Sequence, residues 1–287
     1  MSLSRMLQRS SAVCIACGSR QEPECLYVIS NCRILRCPNC GVGQTLAEDF
    51  DPGAYYTADY FQGSHPDGYA DYEGAEPVLR REFRRTIAFA RRYRPSGQLL
   101  EIGCAYGFLL KEAEPFFEVV GIELSTEAVK RAQRAGLKVV AGAADSKTLR
   151  DLGRFDVVVM LDVIEHLEDP RSVLENCAEL LNPGGIVILT TGDFSSVAAR
   201  VMGRNWRLMT PPQHLWFFTP RSIQQLSVRT GFEVVEIDHP WKLVPLALIR
   251  FQLQRLLGFK LPGNPSSKLG IPLNLFDSMR VVLRRSA

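Results

Sequence analysis

The sequence predicts a doubly wound α/β domain with a small cysteine-rich module ahead of it. Three observations carry this. Short apolar runs alternate with helical stretches from Gln98 to about His239, the pattern of a mostly parallel sheet with helices on both faces. One run, FDVVVML at Phe155–Leu161, is a near-continuous apolar strand, as burial on both faces requires. Six of the eight cysteines lie between Cys14 and Cys40, well before the alternation begins.

The elements follow in order. Residues 1–45 form the cysteine-rich module. Residues 46–96 make a linker or lid, rich in Tyr, Gly and Asp, that ends in a basic helix over 79–94 stopped by Pro95 and Gly97. The α/β domain spans 97–240. Its first strand covers 98–102, followed by a helix over 107–114 that Pro115 stops. A second strand covers 118–122. Ser125 or Thr126 caps the next helix, which ends at Gly136. A third strand covers 137–140, and Phe155–Leu161 is the fourth. A helix over 171–181 closes on Asn182-Pro183-Gly184-Gly185, and the fifth strand covers 186–191. Thr219-Pro220 opens a helix reaching Thr230, with Pro at its first position. The sixth strand covers 232–237. Residues 241–287 are a C-terminal extension with an amphipathic stretch at 243–259 and a seventh strand at 280–285.

Composition narrows the function. The chain has 287 residues, 46% hydrophobic and 23% charged, with a net charge of +3. That charge is too small to argue for nucleic acid by itself. No apolar run approaches the ~18–20 residues of a membrane span. The N-terminal residues lack the apolar core of a signal peptide. A cytoplasmic location is expected, and clustered cysteines there read as metal ligands rather than disulfides.

The first strand runs into Glu101-Ile102-Gly103-Cys104-Ala105-Tyr106-Gly107. Gly103 and Gly107 allow a tight turn and close approach of backbone to a ligand, at the strand ends where open sheets bind ligands. Glu123 ends the second strand, where a carboxylate can accept from both hydroxyls of a ribose. A dinucleotide site fits poorly. The Gly103-x-x-x-Gly107 spacing lacks the third glycine, and Glu101 would repel a pyrophosphate. The same carboxylate suits a positive amino group.

LLEIGCAYGFLL, VVGIELS, FDVVVMLDVIEHLEDP and LLNPGGIVILTT together resemble the ordered motifs of class I S-adenosylmethionine (SAM)-dependent methyltransferases. In particular they resemble the broad bacterial group that includes ubiquinone-type O-methyltransferases and uncharacterised enzymes of polysaccharide and secondary metabolism. The resemblance covers residues 97–240. The resemblance implies a Rossmann-like, seven-stranded sheet with SAM as cofactor. It places Glu101, Gly103, Ala105 and Gly107 along the methionine part, Glu123 on the ribose and Ala144 and Asp145 beside the adenine. Leu161 and Asp162 then lie against the methionine and the acceptor. Ala105 stands where the family often has Gly.

Two histidines are candidate general bases: His166, just past the fourth strand, and His214, in the aromatic loop PPQHLWFFTP. Each has a plainer alternative as a packing residue. Tyr55, Tyr56, Tyr60 and Phe61 could form a lid. Cys14-x-x-Cys17 and Cys37-x-x-Cys40 have the spacing of a zinc ribbon, a closed four-ligand structural site; Cys25 and Cys32 are left over. The expected acceptor is a small molecule, a glycan or a lipid-linked intermediate, with the stretch 243–259 able to touch a membrane, pack on the domain or form a dimer face. The competing readings are an RNA methyltransferase, using the ribbon and the stripe Arg80, Arg81, Arg84, Arg85, Arg91, Arg92 and Arg94, and a non-catalytic partner-binding protein.

Overall fold

The computed structural model describes residues 13–47, 50, 71–149, 152–257 and 266–286. The tyrosine segment at 55–61 lies outside them. At the N-terminus three short strands, β1 (Glu24–Ile29), β2 (Cys32–Arg36) and β3 (Gly43–Leu46), form an antiparallel meander. Helix α1 (Glu76–Ala90) carries Pro77 in its first turn and buries Ile87, Phe89 and Ala90. Then follow β4 (Gly97–Ile102), α2 (Phe108–Ala113), β5 (Phe117–Glu123), α3 (Thr126–Arg134), β6 (Val139–Ala141), α4 (Ser146–Leu149) and β7 (Phe155–Leu161). The second half comprises α5 (Pro170–Leu180), β8 (Leu181–Gly192), α6 (Val197–Met202), β9 (Trp216–Phe217), α7 (Pro220–Arg229) and β10 (Phe232–Asp238). It closes with β11 (Lys242–Pro245), α8 (Leu246–Leu257), β12 (Gly270–Leu273) and β13 (Ser278–Arg285).

The central sheet has seven strands in the order β10-β13-β8-β7-β4-β5-β6. Strands β4 to β8 run parallel. Val157, Val158, Val159 and Met160 of β7 are wholly buried, which is why that run reads as apolar without alternation. The last strand, β13, inserts between β8 and β10 and is antiparallel to both. Order reverses at β4, which has β5 on one side and β7 on the other. Such a switch point opens a crevice beyond the carboxyl ends of the strands.

Two regions depart from the sequence expectation. The cysteine module does not stand apart from the α/β domain at residue 45. Strand β3 pairs with β9, and Ala16, Cys37, Cys40 and Val42 pack into one core with Trp216, Phe218 and Ile223. Buried apolar surface, not a linker, joins them. The described part of the stretch at 243–259, residues 243–257, is not one amphipathic helix. It divides into β11, held by β12, and α8, because Pro245 ends the strand and frees the chain to turn.

The basic helix keeps much of its charge inside the chain. Arg80 Nε lies 2.5 Å and Arg84 Nη1 3.2 Å from the Glu112 carboxylate. Arg85 meets Glu82 at 3.5 Å, and Arg91 lies over the Phe116 ring. No helix among the described residues is long and apolar enough to cross a membrane.

Candidate active site

A cavity of about 610 Å³ opens at the switch point. Of the residues the sequence singled out, Glu101, Gly103, Ala105, Glu123, Ala144, Asp145, Leu161, Asp162 and His166 all line it. Gly107 and His214 do not. Gly107 caps α2 with φ near +78°, and a Cβ there would stand 2.2 Å from Leu137 Cδ1. Its glycine serves helix packing behind the loop. His214 lies behind His166, their rings 4.7 Å apart and edge-to-face. Its Nδ1 lies 2.7 Å from the Leu208 carbonyl, so the ring is part of the wall behind the cavity rather than a base facing an acceptor.

At one end of the cavity, the tip of β4 and the tip of β5 bring two carboxylates together. Glu101 is 5% exposed and its Oε2 has no hydrogen-bond donor. Burial, reinforced by the nearby Glu123 carboxylate, pushes the Glu101 carboxyl well above the ordinary range. Glu123 is raised by burial, partly offset by backbone N–H groups. Its Oε2 accepts from Ala105 N and its Oε1 from Ser125 N, both at 2.8 Å. Each oxygen keeps a second lone pair for a ligand hydroxyl. Gly103 adopts φ +77°, and a Cβ on it would lie 2.6 Å from Val163 Cγ2. Ala105 also has positive φ, 46°. Glycine would suit this position because a positive φ strains any residue with a Cβ. Asp145 reaches the rim, but its Oδ1 accepts from Thr148 N at 2.7 Å and caps α4.

The other end of the cavity is assembled from distant segments. Asp162, at φ 54° just past β7, accepts from Thr190 Oγ1 at 2.8 Å and from Lys242 Nζ at 3.1 and 3.0 Å. Burial opposes its ionisation, but the Lys242 ammonium prevails and holds the carboxyl below the usual range. His166 packs with Nδ1 3.0 Å from the Gln213 carbonyl; burial lowers its pKa, as it does more strongly for His214. Both imidazoles are therefore neutral near pH 7. Leu79 and Phe83 of α1, Leu243 of β11 and Leu248 of α8 supply an apolar wall. Glu82 Oε2 accepts from Leu243 N at 2.9 Å and ties β11 to α1. Sequence reasoning missed Glu82, Thr190 and Lys242. The one local signal was a lone Lys ahead of the apolar run LVPLAL.

In the N-terminal module, Cys14, Cys17, Cys37 and Cys40 converge, their sulfurs all within 4.8 Å. Cys14 Sγ lies 3.6 Å from Cys40 Sγ, and Cys17 Sγ 3.7 Å from Cys37 Sγ. A tetrahedron of sulfurs around an ion at about 2.3 Å has edges of about 3.8 Å, so the set could hold a metal. Cys32 instead bonds the Ser30 carbonyl, and Cys25 is exposed. The module braces the loop that carries His214: Thr45 N donates to Leu215 O, Thr45 Oγ1 to His214 O at 2.6 Å, and Thr219 Oγ1 to Cys40 O.

Comparison with known proteins agrees with this geometry. The family profile described as a methyltransferase domain matches residues 75–237. The chain is similar to the ubiquinone biosynthesis O-methyltransferase of Cereibacter sphaeroides, 32% identical over 154 residues, covering 48% of this chain and 61% of the relative. The enzyme of that name from Azorhizobium caulinodans is 33% identical over 152 residues, covering 49% and 60%. The match thus spans about three-fifths of these relatives' length. Among solved structures, a SAM-dependent methyltransferase from Archaeoglobus fulgidus shares the fold at TM-score 0.51 and 17% identity, over 73% of this chain and 94% of the other. With the profile covering more than half of the residues, and with its motifs meeting at one sheet edge, this chain belongs to the methyltransferase domain family.

Proposed function

We propose that this chain transfers a methyl group from S-adenosylmethionine to an oxygen of a small acceptor with a largely apolar body. The observation that carries the proposal is the pair of buried carboxylates, Glu101 and Glu123, in one cavity. Two such groups forced together out of water are unfavourable alone, and Glu101 Oε2 lacks any donor. A cationic ligand that also carries hydroxyls relieves both. SAM has an ammonium, a sulfonium and a ribose diol, so the residues present fit it.

Bound there, SAM supplies an electrophilic methyl group on sulfur. The protein's part is placement and exclusion of water. Glu101 would take the ammonium and Glu123 the ribose hydroxyls. Gly103 would let the backbone approach the methionine part. The acceptor would enter between Asp162, His166 and the wall of Leu79, Phe83, Leu243 and Leu248. Relatives named as O-methyltransferases favour oxygen as the acceptor atom. An apolar wall favours a small-molecule or lipid-linked acceptor over a bare glycan. The arginines paired along α1 weigh against the RNA reading.

The four N-terminal sulfurs fit a structural zinc ion, with no ligand position left open. We place its role in bracing the loop of His214 rather than in chemistry.

Calorimetric titration of SAM into the protein and into Glu123→Ala tests the cofactor assignment. Micromolar binding that weakens at least about tenfold in the variant, about 1.4 kcal/mol, is expected; equal affinities would overturn it. Transfer of labelled methyl into separated lipid, small-molecule, protein and RNA fractions tests the acceptor. Label in RNA would replace this reading with the nucleic-acid one.

A further inference from the structure

The acceptor end of the cavity has a far wall to which placement of SAM assigns no task. Leu161, Thr190 and Arg280 stand in register on three adjacent strands, β7, β8 and β13, and all three line the cavity. Neighbouring strands lie about 4.8 Å apart, so Arg280 stands about 10 Å beyond the strand that leads into Asp162. Helix α1 runs over the same span. Its Leu79 packs into one cluster with Tyr72 and Ala105, and Phe83 and Thr86 follow along the cavity on one face of the helix. Phe89, about 15 Å from Leu79 along the helix axis, meets the guanidinium, with Arg280 Cζ 3.4 Å from its ring centroid. The slot between sheet and helix starts at the paired carboxylates and ends at a cation.

That cation is clamped and yet keeps donors to spare. Arg280 Nε lies 2.9 Å from Asp238 Oδ1 and Nη2 2.5 Å from Asp238 Oδ2, a bidentate pair that fixes the guanidinium plane, and the side chain is only 15% exposed. The Phe89 ring holds its face. Nη1 carries two N–H groups and meets no acceptor among the described residues. Donors this far from bulk water are ordinarily satisfied. We propose that Arg280 Nη1 receives a neutral carbonyl-type oxygen of the acceptor, about 10 Å from the oxygen that takes the methyl group.

The anchor names a class of acceptor for the methyl-transfer reading and rests on that reading for which end reacts. The acceptor is a slender apolar body with an oxygen at each end: a hydroxyl beside Asp162 and a carbonyl at Arg280. Leu79, Phe83, Leu243 and Leu248 flank the part between. A carboxylate suits the far end less well. Asp238 already balances the guanidinium, and Glu236, bonded by the Tyr93 hydroxyl, stands on the same strand. A second anion there would meet like charges, whereas a neutral oxygen gains the hydrogen bond and displaces no counter-ion. Arg280 is thus a specificity residue, remote from the transferred methyl group.

Three rigid naphthol probes test this by calorimetry on the full-length protein, with and without S-adenosylhomocysteine. The first is a hydroxynaphthyl methyl ketone whose two oxygens sit at opposite ends of the fused rings. The second is its isopropenyl isostere, with CH2 in place of the carbonyl oxygen, and the third is the matching hydroxynaphthoate. The ketone should bind at least about tenfold more tightly than the isostere and more tightly than the naphthoate. Arg280→Met should erase the ketone's advantage and bind SAM as the wild type does. Asp238→Asn keeps an oxygen that can hold the guanidinium but removes the balancing charge, so it should reverse the order of ketone and naphthoate. A merely structural role for the pair would not produce that reversal, and it keeps the test decisive if Arg280→Met fails to fold. Equal affinities of ketone and isostere in the wild type, a wild-type preference for the naphthoate, a ketone advantage that survives in Arg280→Met, an unreversed order in Asp238→Asn, or no binding of any probe would each overturn the anchor. An Arg280-dependent preference for the ketone in a protein that does not bind SAM would support the anchor and overturn the methyl-transfer reading instead.

Discussion

The two ends of the cavity are built in different ways. At the cofactor end, Glu101, Gly103 and Ala105 fall within five residues, and Glu123 and Ala144 follow at the tips of the next parallel strands. Regular β–α connections place them, so chain order and spatial order agree. The acceptor end draws Leu79 and Phe83 from α1, Asp162 from the end of β7, Thr190 from β8, and Lys242, Leu243 and Leu248 from the C-terminal extension. Its key contact, Asp162 with Lys242, joins residues eighty apart in sequence. The first end depends on backbone geometry that a motif records. The second depends on which side chains meet after folding, and no local pattern records that.

Substitutions that strike one end and spare the other would break or sharpen this contrast. The largest effect is expected from Glu101→Gln. Losing a charge-assisted bond of about 1.5–3 kcal/mol should weaken SAM about 10- to 100-fold by calorimetry. The same change should raise the Tm of the free protein, because a buried charge is gone. Unchanged affinity would mean that Glu101 faces no cation.

The pH dependence comes next. Burial raises both Glu101 and Glu123 above the ordinary carboxylate range near 4.5. A raised folded-state pKa contributes stability below the unfolded value, and that contribution is lost as pH rises through the folded one. The free protein should therefore lose stability as pH climbs above about 4.5. SAM needs the ionised carboxylates, so its affinity should rise over the same window. Denaturant unfolding at several pH values with and without SAM reads both slopes, and affinity falling with pH would contradict the pairing.

Lys242→Met addresses the acceptor end. The ion pair is half open to the cavity, with side-chain exposures of 28% and 49%, so its worth is about 1 kcal/mol or less. An acceptor KM changed by under about fivefold, with SAM affinity unaltered, is expected. Without the ammonium, Asp162 loses the charge that lowers its pKa, so its titration should move upward, seen as a shift of the acidic limb of the pH–rate profile. A matching loss of SAM affinity would show that the two ends are not separate.

The smallest effect belongs to Ala105→Gly. Left-handed backbone costs a non-glycine residue about 1–2 kcal/mol, and the added freedom of glycine offsets part of this. A gain of about 0.5–1 kcal/mol in stability should appear in denaturant unfolding. A loss would mean that the methyl group packs more than it strains.

The sequence by itself determined the sheet, because burial on both faces imprints apolar runs such as Phe155–Leu161 and because glycines and caps mark where each β–α unit turns. It also picked out Glu101 and Glu123, which meet in one cavity, and the cysteine quartet, which converges, because their spacings are local chemistry. Tertiary structure alone decided that β13 enters antiparallel between β8 and β10, and that the cysteine module is riveted to the loop of His214 by β3–β9 pairing and Thr45. It also placed His214 behind the wall, brought Lys242 onto Asp162, and turned the apolar stretch after residue 241 into a strand and a helix lining the cavity. These are contacts between residues tens to hundreds apart. Each amino acid there satisfies only a general demand for polarity or bulk, and the identity of its partner is set by the packing of the whole.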